Sequence, residues 1–286
     1  MSIAFDRNRA QVSYENFVEI TSIEDFRDKN KQTNFKNHQL TSEEVLQLNN
    51  DLKEDAVDFF YSGIISFAEG IDSIFQKRFS WATVKLYYSL FYLIRASLAT
   101  KGYAILRCNS MFRLKIAVNE SPYTKRGKEF NSTHDGILNH HKDLFNLSDL
   151  LLSNKIDELD AYEWMKNARE IVNYRSRSFL EPECLDIWDH FSQCVDDGTI
   201  FSELQELEDD DYTKCFQEEY AVVGIPIKRM QQTIADMADA GFLHLLDHNR
   251  DEYARGFVNN NGQPISILSA VFTEESNDGQ SLGSTP

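Results

Sequence analysis

Glycine and proline are scarce in this chain: 12 and 5 among 286 residues, with the first proline at Pro122. So few punctuated reversals argue against a many-stranded β architecture. Cysteine is scarce too. Cys108, Cys184, Cys194 and Cys215 form no CxxC pair. That pattern disfavours a cysteine zinc site or a disulfide scaffold and fits a reducing compartment. No long uncharged apolar run is present and the first residues lack the apolar stretch of a signal peptide, so a cytoplasmic protein without a membrane span is expected. No glycine-rich phosphate loop occurs, and Asp189-His190 has no nucleophile in a hydrolase-like context.

Basic residues are missing from one end. Residues 1–180 hold 24 Lys and Arg against 24 Asp and Glu; residues 181–286 hold 5 against 22, so the whole net charge of −17 lies in the last third. Nucleic-acid phosphates repel such a chain at long range, which disfavours duplex DNA. A local basic patch in the neutral portion remains compatible with RNA. The acidic third serves solubility or meets a basic partner.

What is abundant is apolar and aromatic. Apolar residues make up 42% of the chain, with 20 Phe and 12 Tyr, enough to bury a large core. Residues 1–40 are mixed and read as an arm or strand-like lead-in. Thr41 and Glu44 have the spacing of a capping box. A helix is expected over 42–76, with Gly63 and Gly70 marking a bend or a close helix approach. A second helix, capped by Ser80, should run to Lys101 and stop at Gly102; it is apolar on most sides and reads as a central core helix. Residues 104–131 look irregular, with turns at 107–110 and 119–123 and a basic cluster of Lys125, Arg126 and Lys128. Further helices are expected over 135–145, 159–178 and 185–195. Another should start at Gly224-Ile225-Pro226, since proline suits a first helical turn. Residues 41–180 and 181–258 read as two units with a boundary near 180, and 259–286 as a flexible tail. The expected fold class is all-α.

The segment 80–102 carries a specific pattern. Ala82 is followed after four residues by Tyr87-Tyr88, then Ser89, Phe91, Leu98 and Lys101-Gly102. This resembles the second core helix of HEPN domains (higher eukaryotes and prokaryotes nucleotide-binding). The stretch from Ala168 through Arg169, Asn173 and Tyr174 to Arg175 resembles the Arg-containing end of the family's final helix. The resemblance covers residues 42–180. It implies a helical bundle that dimerises, in a prokaryotic defence or toxin–antitoxin setting; a further alternative is an adaptor that tethers an ATPase or nuclease of the same system through the acidic region.

Ribonucleases of that family carry a His after the Arg, with four to six residues intervening. Here those places hold Tyr174, Arg175 and Ser176. An imidazole with a pKa of about 6.5 exchanges protons at neutral pH, whereas tyrosine and arginine do so poorly. His134, His140 and His141 are the alternative proton carriers, and reach Arg169 only through tertiary folding. On an α-helix Lys166, Arg169 and Asn173 share one face, suited to a phosphate or ribose, while Tyr174 lies about 140° away from Arg169. The expected function is therefore a non-catalytic, dimerising, partner-binding protein without a cofactor. The alternatives are a metal-independent HEPN ribonuclease with Arg169, Asn173, Tyr174 or His134 in its centre, and a nucleotide-binding module using Lys166, Arg169 and Asn173. No metal site is expected: His244 and His248 read as a surface pair lacking a third ligand.

Overall fold

The computed structural model describes residues 8–259, apart from 23, 126, 182, 184, 246 and 247 and the side chains of 244, 248, 251, 255 and 257–259. The expectations for Cys184, the His244/His248 pair and the tail beyond 259 lie outside the described residues. The fold is mostly helical.

Two long helices form its axis, α3 (Ser42–Phe75) and α4 (Phe79–Thr100), preceded by α1 (Arg9–Phe17) and α2 (Lys29–Asn37). Thr41 and Glu44 close the expected capping box on α3. A Cβ on Gly63 would meet Leu93 at 2.8 Å, and one on Gly70 would meet Leu86 at 2.9 Å. As the position advances along α3 it retreats along α4, so the helices run antiparallel and the two glycines serve close approach. Ser89 Oγ crosses the gap to donate to the Gly63 carbonyl at 2.9 Å. Ser80 does not cap α4. The helix starts at Phe79, and Ser80 donates its N–H and hydroxyl to Glu181. Gly102 ends α4 at φ 78°, as its lack of a Cβ allows.

The described residues between 8 and 40 are packed into the fold, where an arm or strand-like lead-in was expected. Arg9 and Ala10 N–H groups at the start of α1 donate to the buried Asp55 of α3 at 2.8 and 3.0 Å, which satisfies orphan donors of a helix terminus. Tyr14 and Phe35 are fully buried, and the Tyr14 hydroxyl donates to the Phe35 carbonyl. The stretch expected to be irregular holds a hairpin, β1 (Tyr103–Cys108) and β2 (Ser110–Lys115), turning at Asn109 with φ 62°. Its alternation is short, and an Asn tolerates this conformation without a glycine signal.

Beyond the hairpin come α5 (Thr133–Phe145), a two-residue strand pair β3 (Lys155–Ile156) and β4 (Leu159–Asp160), and α6 (Ala161–Glu170). Then follow α7 (Asp189–Asp196), α8 (Ile200–Asp209), α9 (Glu218–Asp239) and α10 (His248–Asn259). The helix expected to start at Pro226 begins two turns earlier, with Pro226 inside it. Residues 221–230 are buried without a break. Burial on that scale outweighs the lost hydrogen bond and local crowding of an internal proline. α9 packs along the C-terminal half of α4, joined by Ser97 and Thr233 hydroxyls at 3.2 Å. The apolar core is continuous from Ala10 to Ala254 and passes residue 180 without interruption. Among the described residues no helix is long and apolar enough to cross a membrane.

Candidate functional site

The site forms where α4, α5 and the end of α6 meet. α6 is capped by Asp160, whose carboxylate accepts from the N–H groups of Tyr162 and Glu163 at 3.0 Å. Its inner stripe of Ala161, Met165 and Ala168 is buried, which brings Arg169 inward. Beyond Glu170 the α-helix widens into one π-helical turn, Ile171–Arg175. Ser176 donates both its N–H (2.9 Å) and its hydroxyl (3.0 Å) to the Ile171 carbonyl five residues back. This departs from the α-helix expected over 159–178, and it changes the geometry. Five residues no longer carry the chain about 140° round the axis, so Tyr174 returns to the face of Arg169.

Arg169 is 8% exposed and enclosed by tyrosines. One terminal nitrogen donates to the Tyr88 hydroxyl at 3.0 Å. The guanidinium carbon lies 5.4, 5.5 and 5.0 Å from the ring centroids of Tyr87, Tyr88 and Tyr174. These are cation–π distances. Arg169 Nε is buried without a partner.

His134, in the first turn of α5, reaches the same tyrosine pair. Its ring centroid lies 5.6 Å from Tyr87, 5.7 Å from Tyr88 and 4.6 Å from Phe91. Tertiary folding thus supplies the imidazole that the local sequence after Arg169 lacks. His134 Nδ1 and the Tyr87 hydroxyl are 2.9 Å apart. Tyr87 is fully buried and this is the one hydrogen bond its hydroxyl makes among the described residues. Burial pushes the Tyr87 pKa up, so the hydroxyl stays protonated; it donates to a bare Nδ1 or accepts from Nδ1–H, according to the imidazole tautomer. With Tyr87 as the donor, the ring proton sits on Nε2. Burial first, and then the Arg169 charge, hold the His134 pKa below its ordinary value, so the ring is mainly neutral at pH 7. The result is a neutral imidazole beside a guanidinium.

The other expected residues separate. Lys166 is tied to Asp135 and lies 3.8 Å from Glu170, so its charge is largely answered. Asn173 is half-buried on the π turn and makes no hydrogen bond to Arg169 or His134. The face predicted to join Lys166, Arg169 and Asn173 is therefore replaced by Arg169 with Tyr87, Tyr88, Tyr174 and His134. His140 and His141 are buried elsewhere, on the Met111 carbonyl (3.1 Å) and the Asp149 carboxylate (2.9 Å). Around the site Trp81, Tyr174 and Phe179 are exposed, and Trp81 meets Phe179 edge to face at 5.0 Å.

A second constellation was not legible beforehand. His190 and Cys194, one turn apart on α7, converge with Glu203 of α8; their ligand atoms lie within 4.8 Å of one another. These are zinc-ligand types. The Lys214 ammonium already lies 3.2 Å from Glu203, which accounts for that carboxylate without a metal.

Comparison with protein-family models, curated proteins and solved structures gives no match to this chain.

Proposed function

We propose that this chain is a HEPN-like, dimerising protein of a prokaryotic defence or toxin–antitoxin system, and that its Arg169–His134 face binds single-stranded RNA without cleaving it. The observation that carries this reading is the 2.9 Å contact between the Tyr87 hydroxyl and His134 Nδ1, which we assign with Tyr87 as the donor. It leaves Nε2 as a donor suited to a phosphate oxygen and unsuited to taking a proton from a 2′-hydroxyl. Arg169 adds a charged donor whose bond to Tyr88 uses one of its N–H groups. Exposed Trp81, Tyr174 and Phe179 offer ring faces for unstacked bases.

The test is fluorescence anisotropy with an end-labelled single-stranded RNA in EDTA, followed by a gel of the same sample. Saturable binding of intact RNA, weakened roughly tenfold or more by Arg169→Gln and by His134→Phe, supports the proposal. Absence of binding rejects it.

A second reading, a metal-independent ribonuclease, is favoured by one feature: His134 Nε2 makes no hydrogen bond within the described chain and shares its tyrosine pair with Arg169. Cleavage needs the other tautomer, with Tyr87 accepting from Nδ1–H. Cleaved RNA that becomes intact with His134→Phe would establish it.

A further inference from the structure

A second polar centre lies further along α4 and α5. A cavity of about 300 Å³ opens between the last turns of these helices and the middle of α9. Ser97 and Lys101 line it from α4, roughly 15 Å along the helix from the Tyr87-Tyr88 pair by the 1.5 Å rise per residue. His141 and Phe145 line it from α5, Arg229 and Gln232 from α9. The Leu150 and Ala235 side of the cavity is exposed to solvent.

The charges of this cavity cancel among themselves. Arg229 lies 3.5 Å from Asp149 and 3.4 Å from Asp236, and Lys101 lies 2.6 Å from Asp236. An anion entering here would have to part existing ion pairs, so the site is built for an uncharged molecule.

Two acceptors are left over. His141 donates from Nε2 to Asp149 at 2.9 Å, which leaves Nδ1 as a bare lone pair; that atom is buried without a partner. Gln232 donates its amide nitrogen to the other Asp149 oxygen at 3.1 Å, which fixes its orientation, and its Oε1 is likewise buried and unpaired. Buried acceptors without donors are uncommon in folded chains and mark a place where a donor belongs. Phe145 supplies a flat apolar wall beside them, and Tyr212 a ring whose hydroxyl meets the Gln232 amide. The volume is at the lower end for small-molecule sites.

We propose that this cavity binds a small, flat, uncharged molecule with N–H donors, of the nucleobase kind, with its donors on His141 Nδ1 and Gln232 Oε1. The site is separate from the RNA face and does not depend on it.

Thermal unfolding and calorimetry of the full chain with adenine, cytosine and uracil test this, with inorganic phosphate as the charged control. At least one base should raise the melting temperature saturably at up to millimolar concentration, while phosphate should not. Gln232→Leu removes one acceptor, and Ala235→Trp fills the exposed mouth without touching the buried network. Each should weaken binding roughly tenfold or more, and Arg169→Gln should leave it unchanged. No saturable shift with any base would mean that the cavity holds water alone and would overturn the proposal. So would a shift that survives both cavity variants, one that disappears with Arg169→Gln, or one reproduced by phosphate.

Discussion

Asp149 shows how single side chains hold this fold. Its two oxygens accept from His141, Tyr162, Gln232 and the Leu151 N–H, and the buried Arg229 stands 3.5 Å away. Burial alone would raise its pKa, but the His141 bond and the Arg229 charge hold it well below the usual carboxylate range. Asp149→Ala would leave the guanidinium short of its nearest fully buried counter-charge. A loss of about 3–5 kcal/mol in urea unfolding is expected. Arg169→Ala removes a hydrogen bond and three ring contacts; about 1.5–3 kcal/mol is the expected cost, visible as a lower melting temperature. Histidines set the pH response. Burial is the first cause that holds His134, His140 and His141 below the ordinary imidazole value. As pH falls, the unfolded chain therefore takes up these protons first. The support from the neutral rings is complete above about pH 6.5 and is lost below it. The urea midpoint should fall between about pH 7.5 and 5.5, less steeply in a variant with His140→Gln and His141→Gln. An equally steep profile in that variant would contradict the assignment.

Among the elements, sequence patterns misplace the start of α9 and miss α1, α2, the β1–β2 hairpin and the π turn. Ile225, Ile227, Met230 and Met237 of α9 are fully buried, and Ile234 packs half-buried against the same core. Ile234→Asp should cost about 1–3 kcal/mol, since it brings an unpaired carboxylate to the core's edge. An unchanged melting temperature would place the stripe outside the core. The capping box, the glycine contacts and the aromatic run of α4 were legible because each is local: a cap spacing, a small residue, a continuous apolar surface. Pro226 misled because a proline is a local signal and the burial that overrides it is not. The π turn has no composition signature; it shows only in the Ser176 bonds to Ile171, and it alone returns Tyr174 to Arg169. His134 lies 35 positions before Arg169, a separation that no motif spans. Tyr174→Ala should therefore weaken RNA binding while lowering stability by no more than about 1 kcal/mol, the scale of one exposed cation–π contact.

At the scale of the whole molecule, the apolar sides of α4 are covered within one chain by α3 and α9, so they are not the surface on which two copies would meet. The exposed Trp81, Tyr174 and Phe179 are the apolar groups beside the Arg169 face that remain available. If the chain dimerises, light scattering at micromolar concentration should give about twice 33.1 kDa, and Trp81→Glu, on the surface proposed to stack on RNA bases, should leave that mass unchanged. The negative charge of the last third repels phosphates, so on the proposed reading the RNA contact should rest on few phosphates and show a shallow salt slope. The most direct test of the RNA-face proposal is one tube of end-labelled single-stranded RNA with the full chain in EDTA, read first by anisotropy and then on a denaturing gel. The expected result is saturable binding of full-length RNA that Arg169→Gln weakens roughly tenfold or more. RNA that stays free, or RNA that is cleaved unless His134 is replaced, would contradict it.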